Sequence, residues 1–290
     1  MVAGIYGIGQ EADTRGVQVP ARTTQSAFDK ALEVTQAGSG VYAADIDEAW
    51  NVFRGPNGGY LAALLMKTAM ASAGGDPDRR PRVLTVHYIA VAKPGPVEIR
   101  TRLLRRGSSL SWLSADLFQR GQLCVTAKLA MSTDWPSVEF SNLTPPDVSF
   151  DDATVLPPEV MPPFSRHYEY RSLYATPFDP GHGDAIGGYL RLCDPRPYDP
   201  ALLAAMSDAW FPSTFAFDST MVMGVTLDLT VHFRNHAALE RLSPEHSVLS
   251  IFRSRRATEG FFEEDGELWS PDGQLIAQSR QLALAAPMAG

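Results

Sequence analysis

The strongest constraint on how this chain can fold is a repeat inside it. Leu84-Thr85-Val86-His87-Tyr88 recurs as Leu229-Thr230-Val231-His232-Phe233, 145 positions later. Gly121-Gln122-Leu123 recurs as Gly273-Gln274-Leu275, 152 positions later. A longer loop near residues 237–245 accounts for the change of offset. Short identities arise by chance, but two in the same order, each at the matching structural step, point to an internal duplication. A chain of 290 residues admits one large domain or two ordinary ones, at ~100–200 residues each, and the repeat decides for two.

Each copy reads as a helix followed by an antiparallel meander. A polar arm occupies residues 1–23, and Phe28, Leu32 and Val34 suggest a short helix over 25–36. Residues 42–53 read as strand plus turn. Gly55-Pro56-Asn57-Gly58-Gly59 is a dense turn signal opening into Tyr60-Leu61-Ala62-Ala63-Leu64-Leu65-Met66, strong helix formers with little polar face. That helix should be buried nearly all round and end at Gly74-Gly75-Asp76-Pro77. Strands are expected over 82–91, 97–105, 110–119 and 123–132, with a hairpin turn at Arg120-Gly121. The second copy repeats the order: strands over 167–175 and 188–193, a helix over 200–217, then strands over 225–233, 248–255, 260–269 and 275–285. Seven prolines between Pro136 and Pro163 mark a linker. The expected organisation is an N-terminal unit over 1–135, a linker over 136–164 and a C-terminal unit over 165–290. One helix on one sheet leaves an open edge, and pairing two such units closes it.

Composition narrows the partners. Lys plus Arg number 25 against 33 Asp plus Glu, a formal charge of −8, which argues against a nucleic-acid binder. Two cysteines, Cys124 and Cys193, are too few for a disulfide framework or a thiolate zinc cluster, and suit a reducing compartment. No basic stretch followed by an apolar one opens the chain. The longest apolar run, 60–73, falls short of the ~20 residues of a membrane span. A cytoplasmic globular protein is therefore expected.

The helix start Pro56-Asn57-Gly58-Gly59-Tyr60-Leu61-Ala62-Ala63-Leu64, followed by Leu84-Thr85-Val86-His87-Tyr88, resembles the first half of the double-hotdog acyl-CoA thioesterases, the TesB-like or type II family. Ser207-Asp208, Thr226-Leu227-Asp228 and Gln281 follow in the order that family uses, and the likeness runs over about residues 28–285. It implies an α+β fold, a tandem hotdog with a helix wrapped by an antiparallel sheet twice per chain. It implies hydrolysis of acyl-CoA thioesters by an activated water, a link to fatty acid metabolism, and self-association into a homodimer or larger homo-oligomer. It also implies that Asp208 is the general base and that Thr226 and Gln281 orient the water. Asp228 is placed beside the site and not in it. No cofactor is expected, since CoA is part of the substrate. No metal is expected, since a thiolate leaves without one.

The residues leave alternatives open. At the two offsets, Thr226 faces Pro81 and Gln281 faces Leu129, so the polar trio belongs to one copy. Gln281 interrupts an apolar strand and needs partners if buried; it could equally point to solvent, with Asp208 a helix-surface acid. Asn57, Gly58 and Gly59 could supply oxyanion donors or substrate contacts at a helix N-terminus, or serve close packing. Arg105 and Arg106, with Arg253, Arg255 and Arg256 at the equivalent step, are candidate contacts for CoA phosphates, or a solvated face.

Several patterns carry little. Gly7-Ile8-Gly9-Gln10-Glu11-Ala12 matches a dinucleotide fingerprint in letters, but no helix follows. His232 and His236 lie in strand and loop, not on one helical face. The loop holding His182 reads as bland, and His87 as a core histidine. No Gly-x-Ser-x-Gly elbow is present. A hotdog enoyl-CoA hydratase or dehydratase would need an Asp–His pair that His87 and His232 do not complete. A non-catalytic acyl-CoA-binding protein remains the third reading.

Overall fold

The computed structural model describes residues 25–74, 78–157, 161–174, 185–217 and 222–287. The N-terminal arm, the dinucleotide-like letters and His182 lie outside these. The first half contains α1 (Ala27–Ala31), β1 (Thr35–Gly38), β2 (Val41–Ile46), α2 (Gly58–Ser72), β3 (Arg80–Tyr88), β4 (Gly95–Arg106), β5 (Leu110–Gln119) and β6 (Gln122–Ser132). The connecting segment adds β7 (Thr154–Val155). The second half contains β8 (Tyr168–Ser172), β9 (Ala185–Leu192), α3 (Pro200–Met206), β10 (Val222–Phe233), α4 (His236–Glu240), β11 (Val248–Arg253), β12 (Ala257–Thr258), β13 (Phe261–Trp269) and β14 (Leu275–Pro287).

The strands join in one antiparallel sheet, in the order β1-β2-β4-β5-β6-β3-β10-β14-β13-β11-β9-β8-β7, with β12 beside β13. The order is mirrored about the β3–β10 junction. There the repeated letters pair with each other: Thr85 faces Thr230, Leu84 faces Val231 and Val86 faces Leu229. Thr230 Oγ1 donates to Thr85 Oγ1 at 3.2 Å. A self-complementary junction of this kind is what a two-fold axis produces. The neighbouring ladders carry the same symmetry. Leu84 faces Leu129 on β6, as Leu229 faces Gln281 on β14. The register shifts between Pro81 and Val83 in one copy and between Thr226 and Asp228 in the other. Both sequence offsets, 145 and 152, are thereby register equivalences.

Helix α2 packs against β4, β5, β6 and α3. Tyr60 through Met66 are all fully or almost fully buried, so the first half of the helix has no wet face that would call for polar residues. Each large aliphatic side chain removed from water contributes ~1.5–3 kcal/mol. Asn57 caps the helix, its Oδ1 accepting from the Tyr60 N–H at 2.9 Å. Trp50, also fully buried, stacks on Tyr60 at 5.3 Å and on His167 at 4.1 Å, joining the first half to the start of the second.

Two helices are shorter than their spacing suggests. The expected helix over 25–36 is only five residues long; β1 begins at Thr35 and turns through Gly40, whose φ of 67° suits glycine. The expected helix over 200–217 stops at Met206. Ser207 turns its hydroxyl back to Leu203 O at 2.8 Å, and Pro212 disfavours helix at the residue before it. The aromatic residues beyond collapse into a 3-10 turn, Ser213–Ala216, that fills the core. Helix α4 was not foreseen. His87 is exposed and not a core residue.

Candidate active site

The shortening of α3 creates the site. Asp208 follows its last turn and meets the first turn of α2. The Gly59 N–H donates to Asp208 Oδ2 at 2.9 Å, and Asn57 Nδ2 donates to the same oxygen at 3.2 Å and to the Asp208 backbone carbonyl at 2.8 Å. The glycines permit this approach. A Cβ on Gly59 would sit 2.5 Å from Ala205 O, and one on Gly58 would sit 2.8 Å from Asp208 Oδ2. Close packing and the carboxylate contact are thus one feature, and the Gly59 N–H is engaged by Asp208. Tyr88 donates its hydroxyl to Gly58 O at 2.7 Å, and burial keeps that phenol protonated.

Gln281 and Thr226 come together on neighbouring strands. Thr226 Oγ1 donates to Gln281 Oε1 at 3.0 Å. Gln281 is buried, and its Nε2 donates to Glu264 Oε1 at 2.6 Å. Glu264 lies directly opposite Gln281 in the β13–β14 ladder, is also buried, and accepts the Ser213 N–H through Oε2 at 2.7 Å. Sequence reasoning missed Glu264. Its signal was the alternation of β13, which puts Glu264 on the inward face with Phe262 and Leu268.

The pseudo-two-fold shows how unusual this row is. In the first half, Leu84, Leu129 and Leu113 lie side by side across β3, β6 and β5, all buried. In the second half, the same register holds Leu229, Gln281 and Glu264. Two apolar positions of one copy are a hydrogen-bonded amide–carboxyl pair in the other.

Electrostatics follow from enclosure. Loss of water pushes the Asp208 carboxyl up to about 7. The Gly59 N–H pulls it down, the Glu264 charge pushes it up, and hydrogen bonding from Gln281 and the Gly58 N–H pulls it down again. Burial likewise raises Glu264. The Asp208 carboxyl is thus poised to carry a proton near neutral pH, where an exposed acid would be fully ionised. Trp210 Nε1 and Thr214 Oγ1 lie buried nearby in sequence without a hydrogen-bond partner among the described residues.

Asp228 is half-buried and accepts the Leu282 N–H at 3.2 Å. Of the candidate phosphate contacts, Arg105 and Arg106 end β4 and are exposed. Arg106 lines a cavity with Met70 and Ala73, at the opposite end of α2 from Asn57. A helix of 15 residues puts ~22 Å between those ends. Arg255 and Arg256 are exposed in the turn after β11; the Arg255 N–H donates to Glu263 Oε1 at 2.9 Å. Among the described residues, no group of three or more His, Cys, Asp or Glu is placed to hold a metal, and no helix is long and apolar enough to cross a membrane.

Known proteins share this architecture. The chain is 26% identical to a conserved hot dog protein of unknown function from Alicyclobacillus acidocaldarius, with a TM-score of 0.83 over 92% of this chain and 100% of that one. It is 26% identical to a putative thioesterase II from Thermobifida fusca, with a TM-score of 0.75 over 90% and 97%. An uncharacterised protein of Mycobacterium tuberculosis is 25% identical and spans 84% of this chain and 90% of its own length. The acyl-CoA thioesterase N-terminal domain matches residues 46–132 and the C-terminal domain matches residues 140–285. With both domains present in order, the chain belongs to the acyl-CoA thioesterase family.

Proposed function

We propose that this thioesterase hydrolyses acyl-CoA to free acid and CoA at the Asp208 cluster, with Asp208 as general base. Its reading as a base rests on one observation above all: the buried Leu-Gln-Glu row replaces Leu-Leu-Leu beside a carboxyl held near 7. The bonds from Gly59 and Asn57 hold Oδ2 in place, and the carboxyl so held collects the proton of a water. The water oxygen bonds to the thioester carbonyl carbon as its proton passes to Asp208. The C–S bond then breaks, and the proton goes to the departing CoA thiolate. A general base near the working pH typically supplies ~10²–10⁴-fold. Thr226 and Gln281 fix the water, and Glu264 holds the Gln281 amide in the orientation that presents its oxygen to Thr226.

The reaction so written uses no metal or separate cofactor, because a thiolate is a good leaving group and CoA enters as substrate. A fatty acyl substrate, a cytoplasmic location and a homo-oligomer belong to the same reading. Support comes from the free cysteines Cys124 and Cys193 and from exposed Leu103, Leu110 and Trp112 on neighbouring strands. The hydratase alternative finds no support in His87 and His232, which are both exposed.

Thiol release over a series of acyl-CoA chain lengths tests the reading. Asp208→Asn, which keeps an oxygen for the Gly59 N–H, is expected to lower turnover ~10²–10⁴-fold with the fold intact. An unchanged rate would remove Asp208 from the mechanism.

A further inference from the structure

The repeated pentapeptides Leu84-Thr85-Val86-His87-Tyr88 and Leu229-Thr230-Val231-His232-Phe233 differ only in their last letter. The difference is one oxygen, a phenol hydroxyl present at the end of β3 and missing from the end of β10. Phe233 is buried, with its ring 6.5 Å from that of His236. This place in the repeat is therefore filled without a hydroxyl in one copy.

In the other copy the hydroxyl reaches the Asp208 cluster. Tyr88 donates to Gly58 O at 2.7 Å. That carbonyl belongs to the same peptide unit as the Gly59 N–H, which donates to Asp208 Oδ2 at 2.9 Å. One planar group is thus held at both ends, by Tyr88 on its oxygen and by Asp208 on its nitrogen. A Cβ built on Gly58 would lie 3.1 Å from the Tyr88 hydroxyl and 2.8 Å from Asp208 Oδ2, so phenol and carboxyl flank the same glycine. Glycines on both sides give this peptide little steric restraint of its own, and the Tyr88 bond fixes its tilt. Donation to the carbonyl also draws electron density from the peptide nitrogen. Hydrogen bonds in series strengthen one another by ~10–30% each, so the Gly59 N–H becomes the better donor.

We infer that Tyr88 is a positioning residue for the thioesterase reaction: its hydroxyl, acting through the Gly58–Gly59 peptide, aims and strengthens the N–H that Asp208 accepts. The inference rests on Asp208 as the general base. Its sign is definite. The Gly59 N–H favours the ionised carboxyl and offsets part of the loss of water. Without the hydroxyl that donor weakens, and Asp208 keeps its proton to higher pH. The other groups that face Asp208 are unchanged by this: Asn57, Glu264 from β13, Gln281 from β14, and Tyr168 and Tyr170 from β8, whose phenols burial keeps protonated. Asp228 on β10 acts on Tyr88, and its charge holds the phenol proton more firmly.

Tyr88→Phe, the letter already present in the other copy, tests the inference in the full chain. The acidic limb of kcat/KM for a short acyl-CoA should move up by about half a pH unit, a loss of about threefold at pH ~6 and little at pH ~9. A ring-fluorinated tyrosine in place of Tyr88, a stronger donor of nearly the same shape, should move the limb down. Carbon NMR titration of the Asp208 carboxyl, identified by its absence from Asp208→Asn, should show the same two shifts without any turnover. A limb and a titration unmoved in both variants would overturn the inference, even where Tyr88→Phe lowers the rate at every pH, since Tyr88 would then serve packing alone. An unchanged rate in Asp208→Asn would instead remove the general base, and the carboxyl titration would still show whether Tyr88 acts on Asp208.

Discussion

At the scale of single residues, the site depends on what surrounds one carboxyl. Asp208 is lifted to about 7 chiefly by loss of water. Its folded-state value therefore lies above its unfolded one, and the folded state holds the proton more tightly. Stability should fall as pH rises from about 4 to about 7 and then level off. Asp208→Asn should flatten that part of the curve, read from denaturant midpoints across the range. Gly59→Ala would drive a methyl to 2.5 Å from Ala205 O. It should cost ~1–3 kcal/mol of stability and a large part of turnover together, measured by melting and thiol release. Asp208, Thr226 and Gln281 were legible as letters in an order, but their contacts were not. Nothing in the sequence tells that Asn57 both caps a helix and grips a backbone 151 positions away. Glu264 was legible only through strand alternation, in a run of acids that reads as a wet edge.

At the scale of elements, the second half holds a buried polar pair in a row that is wholly apolar in the first. Leu84-Leu129-Leu113 in one copy stands against Leu229-Gln281-Glu264 in the other. Removing one member of a buried polar pair strands the other, at ~1–3 kcal/mol. Glu264→Leu alone should therefore destabilise the fold. Glu264→Leu with Gln281→Leu rebuilds the first-half row, and should recover much of that loss while thiol release stays abolished. A double variant with wild-type activity would show that the row is not part of the site. Sequence patterning located strands well because alternation and turn glycines act locally: β5 spans the expected 110–119. It overran at α1 and α3 because helical spacing cannot register where the chain must leave the helix to satisfy a distant partner. The short α3 is what brings Asp208 to α2, so the local misreading fell on the functional end.

At the scale of the whole molecule, the duplication makes one body of two copies. The core is continuous across them, with Tyr60 and Leu84 of one half in the same cluster as Leu203 and Leu229 of the other. The candidate cluster draws Asn57 and Gly59 from the first half and Asp208 from the second. Separate halves, 1–135 and 136–290, should each be inactive and aggregation-prone. Co-expressed, they should recover thiol release, because the junction at Thr85 and Thr230 is made by strands and not by the connecting segment. Activity in either half alone would contradict a site shared between copies. Hydrolysis at one of the two pseudo-symmetric places is proposed to run through a carboxyl poised near neutrality. It is tested most directly by the pH dependence of kcat/KM for a short acyl-CoA, from about pH 5 to 9. The rate should fall tenfold per pH unit below about 7, a limb that Asp208→Asn abolishes along with most of the rate. A rate that rises as pH falls through 7, or a limb that survives Asp208→Asn, would contradict it.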